Sequence, residues 1–193
     1  FIVAFLGIVI LSPLFAFLMI AIKLDSPGPV FFRQKRVGIH KTHFNILKFR
    51  TMRIDTPKDT PTHLLDNPEQ WITKMGKFLR RTSLDELPQI INILKGEMSI
   101  IGPRPLLVQY LPLYNDQQQR RHEVRPGLSG YAQVNGRNSI SWDNKFDLDV
   151  QYVDNVTFIN DVKIIMLTLK KVFVKDGISS GSSVTMEVFT GNE

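Results

Sequence analysis

Cysteine is absent from this 193-residue chain, which excludes disulfides, thiolate catalysis and cysteine-based zinc sites and suits a cytoplasmic domain. Histidine is scarce: His40, His43, His63 and His122 fall in no HExxH or comparable ligand spacing, so no transition-metal centre is expected. Charge is missing altogether from Phe1 to Ile22. No internal repeat or low-complexity tract is present, which excludes solenoids and arrays.

What is there is enough apolar residue, 43%, to bury one proper core and leave an anchor over. Lys and Arg number 24 against 18 Asp and Glu, a formal net charge of +6 that favours a negatively charged partner: a nucleotide, a phosphate, nucleic acid or an anionic membrane.

The uncharged opening segment, if helical, reaches roughly 33 Å and matches the hydrocarbon core of a bilayer. Ser12-Pro13 stands at its middle, where proline removes a backbone hydrogen bond and predicts a kink. No small-residue cleavage site closes the segment, which argues against a signal peptide. A spanning helix and a re-entrant one both fit these residues. In either geometry the bases Lys23, Arg33, Lys35, Arg36, Lys41, Lys48, Arg50 and Arg53 follow, placing the next domain on the cytoplasmic side. The chain opens on Phe1, and its natural start is expected upstream.

Asp25-Ser-Pro-Gly-Pro29 is rich in turn formers and sets the expected boundary between residues 1–24, the membrane segment, and 25–193, the domain that follows it. Val30 to Val37 and Phe44 to Met52, joined through Gly38, predict a β-hairpin; Arg53 to Asn67 predicts a surface loop. Helices are expected over Pro88 to Lys95, stopped by Gly96, and over Val108 to Arg121. Phe158 to Val174 carries an amphipathic pattern with lysines at 163, 170, 171 and 175, suited to the core or to a membrane interface. The tail from Ile178 to Glu193 predicts irregular structure.

Chemistry concentrates in Arg80-Arg-Thr-Ser-Leu-Asp-Glu-Leu-Pro-Gln89. Ser83-x-x-Glu86 fits a helix capping box, which would make both acids structural. Pro88 argues for a second arrangement, in which the helix starts near Pro88 and Asp85 and Glu86 stand just outside its N-terminus. Adjacent carboxylates beside Lys77, Arg80 and Arg81 suit phosphoryl transfer, because a carboxylate attacking a phosphate must overcome like-charge repulsion that cations and Mg²⁺ relieve. One carboxylate then serves as nucleophile and its neighbour holds the metal. Gly102-Pro-Arg-Pro105 fixes the backbone around Arg104, a candidate bidentate phosphate contact. Lys48-Phe-Arg50, Arg125-Pro-Gly-Leu-Ser-Gly130 and Gln133-Val-Asn-Gly-Arg137 supply further cations and amides.

These segments, in order with Ser12-Pro13, Lys48-Phe-Arg-Thr-Met52, Leu94-Lys-Gly-Glu-Met98 and Arg125-Pro-Gly127, resemble the monotopic phosphoglycosyl transferases of the bacterial sugar transferase family across essentially the whole chain. The resemblance implies an α+β fold: a mostly helical compact cytoplasmic domain with a short β-hairpin and interfacial amphipathic helices. A re-entrant membrane helix broken at Ser12-Pro13 would anchor it to the cytoplasmic face of the inner membrane. It implies that Asp85 attacks the sugar-bearing phosphate of a UDP-sugar, that UMP leaves, and that undecaprenyl phosphate takes the phosphosugar from the aspartate. Glu86 would bind Mg²⁺, Lys48, Arg80 and Arg104 would contact phosphate, and Arg137 would meet the nucleotide or sugar. Ile140-Ser-Trp142 and Phe146-Asp-Leu-Asp149 resemble the subgroup acting on UDP-N,N′-diacetylbacillosamine. Membrane lipid is an implied partner, a homodimer is compatible, and nucleic acid is not expected. The rival to an enzyme is a noncatalytic membrane scaffold that recruits glycan enzymes.

Overall fold

An apolar, uncharged run becomes one long helix, α1 (Ile2–Asp25), in the computed structural model, which describes residues 2–57, 67–136, 140–174 and 188–191. Among the described residues α1 is the one helix long and apolar enough to cross a membrane. Helical backbone continues through Ser12-Pro13, so the expected break does not appear as an interruption. The carbonyl that Pro13 deprives of its helical donor is that of Val9, and the Ser12 hydroxyl donates to it at 2.8 Å.

The chain divides into two units, one of residues 1–34 and 46–95, the other of 35–45 and 96–193. In the first, Leu18 and Ile22 of α1 are buried with Phe49 and Leu79, while Ile2, Ile10, Phe17, Ile20 and Leu24 stay exposed. Strand β1 (Phe31–Val37) pairs with β2 (His43–Phe49) in the expected hairpin, whose connection closes with Gly38 N–H donating to Thr42 O. A 3₁₀ turn at Pro68–Trp71 leads into α2 (Lys74–Thr82), and α3 (Gln89–Leu94) ends before Gly96, whose φ of 76° is the left-handed stop that glycine supplies.

In the second unit β3 (Ser99–Ile101) lies parallel to β4 (Gly127–Ser129), with Ser99 opposite Gly127 and Ile101 opposite Ser129. The backbones approach so closely that a side chain at Gly127 would meet Gly102 N at 2.1 Å. The single helix expected over Val108 to Arg121 is corrected by the structure: a 3₁₀ segment spans Val108–Leu113, α4 covers Asp116–Gln119, and a 3₁₀ turn follows at Arg120–His122. Pro112 lacks the N–H an α-helix needs there, and Asn115 starts a new helix with a complete capping box, its side chain accepting from Gln118 N. Helices α5 (Tyr131–Asn135), α6 (Trp142–Asp154) and α7 (Phe158–Val174) complete the unit. Leu106, Tyr110, Tyr114, Phe146 and Phe189 form one core cluster; Ile101, Val134, Tyr152 and Ile164 form another. Phe189 thus ties part of the irregular tail to the core, and the rest of that tail lies outside the described residues.

Candidate active site

The dyad Asp85-Glu86 occupies a corner between two helices of the first unit. Thr73 caps the start of α2, its side chain accepting from Gly76 N at 2.9 Å. The end of α2 is turned by Ser83 in the left-handed conformation, φ 57°, with its N–H directed to Arg80 O and Leu79 O. A 3₁₀ turn, Leu84–Glu86, follows, and Pro88 then precedes the first residue of α3. The Ser83 side chain makes no capping hydrogen bond, so the capping-box arrangement is not adopted. Pro88 sits at the N-cap, one residue before the first helical position expected, where its missing N–H removes no helical bond. Asp85 and Glu86 are therefore half-buried, outside the helix and next to its start. Since α3 has only six residues, its dipole adds little to the site.

Two cations converge on this corner. Lys48, near the end of β2, places Nζ 2.6 Å from Glu86 Oε1, with the two side chains 21% and 20% exposed. The register of that contact is set one residue earlier, where Leu47 N–H donates to the buried Asn92 Oδ1 of α3 at 2.9 Å. Arg80, in the last turn of α2, donates from Nε to Thr51 Oγ1 at 2.9 Å. Burial pulls the Arg80 guanidinium below its ordinary value, and the nearby Asp85 charge acts against that pull. Asp85, Glu86, Lys48 and Arg80 are thus assembled in one unit, two acids beside two bases. Lys77, expected near them, pairs instead with Glu69 at 2.7 Å on an exposed surface.

The donor set fits Mg²⁺ chemically. Adjacent carboxylates offer hard oxygens, and Mg²⁺ needs only one or two from protein when substrate phosphates and waters supply the others. No cluster of three metal-binding side chains occurs among the described residues, which is compatible with such a substrate-completed site.

Arg104 belongs to the second unit and is half-buried in its Gly-Pro-Arg-Pro turn; Arg137 lies outside the described residues. The Arg104 carbonyl accepts from Arg121 Nη2 at 2.8 Å, and Arg121 is paired with Asp149 at 2.7 Å, the two side chains 1% and 2% exposed. Burial works against the Arg121 charge, but the Asp149 carboxylate beside it prevails and raises the guanidinium above its ordinary value. Lys145, one turn before Asp149 and 4.6 Å from the centre of the Trp142 ring, is pushed down to about 8, mainly by burial. Sequence inspection missed Arg121, Lys145 and Asp149 as a buried group. The available signal was charge at inward-facing positions of α6, where Phe146, Val150 and Tyr152 are also buried.

Two other basic side chains bond backbone carbonyls. Arg50 donates to Ser26 O at 2.8 Å and to Pro27 O, closing the exit of α1, and Arg125 donates to Gly96 O at 3.0 Å. Phe146 and Asp149, which suggested a sugar subgroup, are a core aromatic and the partner of Arg121.

Residues 1–175 match the model of a family described as bacterial sugar transferase. An uncharacterized sugar transferase, EpsL, of Bacillus subtilis (strain 168) is 50% identical over 181 residues, covering 94% of this chain and 88% of its own. A UDP-glucose:undecaprenyl-phosphate glucose-1-phosphate transferase of Escherichia coli (strain K12) is 39% identical, covering 90% of this chain but 39% of its own length. An undecaprenyl-phosphate galactose phosphotransferase of Salmonella typhimurium is 37% identical, covering 88% of this chain and 38% of its own.

Proposed function

Because the chain belongs to the bacterial sugar transferase family, we propose that it is a phosphoglycosyl transferase that moves a sugar 1-phosphate from a UDP-sugar to undecaprenyl phosphate and releases UMP. The observation that carries the proposal is the corner itself: Asp85 and Glu86 adjacent in one turn, with Lys48 on Glu86 and the Arg80 charge within electrostatic reach of Asp85.

The Asp85 carboxylate oxygen attacks the phosphorus that bears the sugar. Its bond to the bridging oxygen of UMP breaks, UMP leaves with the electron pair, and the phosphosugar remains on Asp85. An oxygen of undecaprenyl phosphate then attacks the same phosphorus, the bond to Asp85 breaks, and the carboxylate is regenerated. Arg80 holds positive charge beside the nucleophile, lowering the repulsion between two anions. Lys48 orients Glu86, whose carboxylate would hold Mg²⁺; the metal, when bound, neutralises charge on the diphosphate. Arg104, fixed between two prolines, is assigned a phosphate contact on its chemistry, and Arg137 a contact to nucleotide or sugar.

The donor we propose is a UDP-N-acetyl sugar, UDP-N,N′-diacetylbacillosamine included, from the resemblance over residues 140–142 and 146–149. Relatives named for glucose and galactose make UDP-glucose and UDP-galactose the necessary competitors. We also propose that α1 is a re-entrant anchor at the inner membrane and that α7 is an interfacial amphipathic helix. In support, α7 exposes Phe158, Ile159, Val162, Met166 and Leu169 beside exposed Lys163 and Lys170.

The test is UMP release by detergent-solubilised protein given Mg²⁺, undecaprenyl phosphate and this donor panel, with Asp85→Asn alongside. UMP from one donor, lost in Asp85→Asn, and a phosphosugar mass on Asp85 when acceptor is withheld, are expected. Equal UMP from both proteins would overturn the mechanism, and silence from folded protein would favour the scaffold.

A further inference from the structure

Among the described residues, the hydrogen bond that the Arg80 side chain makes is the one from Nε to Thr51 Oγ1. A guanidinium is a planar fork, so fixing Nε leaves the two terminal nitrogens to face whatever ligand or carboxylate lies beyond. Thr51 is itself immobilised. Its side chain is buried, and its carbonyl accepts from Thr73 N at 3.1 Å. The first turn of α2 presses on it so closely that a side chain at Gly76 would meet Thr51 O at 2.0 Å. Gly76 and Arg80 are four residues apart, hence on the same helix face, and that face rests on Thr51.

We propose that Thr51 is a positioning residue for the transfer reaction, its hydroxyl oxygen holding the plane of Arg80 so that the terminal nitrogens serve Asp85 and the phosphate it attacks. The proposal rests on the phosphoglycosyl transferase assignment above. Threonine contributes here through its oxygen rather than its size. Valine has nearly the same shape and cannot accept the bond, whereas serine keeps the acceptor and loses one methyl.

The experiment compares UMP release by wild type, Thr51→Val, Thr51→Ser and Asp85→Asn, and repeats Thr51→Val in an Arg80→Lys background, where no Nε fork remains to be oriented. At saturating donor, Thr51→Val should lose about tenfold in kcat with little change in KM, the scale of one orienting hydrogen bond. Thr51→Ser should stay within about twofold of wild type, and thermal midpoints should hold. In Arg80→Lys, Thr51→Val should cost nothing more, because the two changes remove one interaction. Where valine lowers the midpoint, Thr51→Ala set against Thr51→Ser decides: serine fast with alanine slow supports the proposal, and both equally slow overturns it. Thr51→Val as fast as wild type, or equally damaging with and without Arg80, also overturns it. If wild type releases no more UMP than Asp85→Asn, the assignment of the reaction falls, and this inference with it.

Discussion

Gly76→Ala sets two well-measured effects against each other. Alanine is the better helix former by about 1 kcal/mol, so propensity alone predicts a more stable α2. The added Cβ, however, would stand 2.0 Å from Thr51 O, 2.7 Å from its carbonyl carbon and 2.8 Å from its Cα. All three are backbone atoms, and no side-chain rotation relieves them. The helix must retreat by more than an ångström, which strains the carbonyl's hydrogen bond from Thr73 N. Overpacking of this kind costs about 1–3 kcal/mol, and the weakened bond adds about 1. After the propensity gain, a net loss of about 2 kcal/mol remains, or about 4–8 °C in a domain of this size. Thermal unfolding of wild type and Gly76→Ala in the same detergent measures it. A midpoint equal to or above that of wild type would show that α2 does not rest on Thr51 as described.

Asp149→Asn should destabilise by about 3–5 kcal/mol, since it strands the Arg121 charge in the interior; denaturant titration checks this, and a loss below about 1 kcal/mol would contradict the buried pair. Lys145, held at about 8 when folded against 10.5 unfolded, takes up its proton more readily in the unfolded chain between those values. Stability should therefore rise as pH climbs from 8 to 10.5, and the full penalty, on the order of 3 kcal/mol, applies below 8. Lys145→Met should remove that slope and raise the midpoint at pH 7. Glu86→Gln should shift the Mg²⁺ concentration for half-maximal UMP release upward several-fold, and an unmoved curve would count against Glu86 as the metal ligand.

Elements with strong local signals were legible from residues alone. An uncharged run gives α1, β-branched and aromatic residues interleaved with bases on either side of Gly38 give the hairpin, and apolar residues at helical spacing with lysines between them give α7; for Asp85-Glu86 the residues left a capping box and a position outside a helix starting near Pro88 both open, and the structure adopts the second. The parallel pairing of β3 with β4 was not legible, because three-residue strands carry no periodicity and their register depends on glycines meeting across the chain. The break at Pro112 and Asn115 was readable in principle, and the polar run around it concealed it. Arginines were the hardest to assign. Arg50, Arg80 and Arg121 look alike in sequence, yet one closes the exit of α1, one bonds Thr51 at the foot of α2, and one carries the backbone of Arg104. Long-range partners, not local context, separate them.

The Ser12 hydroxyl on Val9 O makes that turn of α1 a gauge of its own surroundings. Where water reaches the turn, Ser12→Ala loses little, since solvent accepts the task of satisfying the carbonyl. Within hydrocarbon no such substitute exists, and a carbonyl stripped of both its proline-deleted donor and its serine costs several kcal/mol. The penalty of that one substitution, compared between bilayers of different thickness, therefore registers how deep the middle of the helix lies.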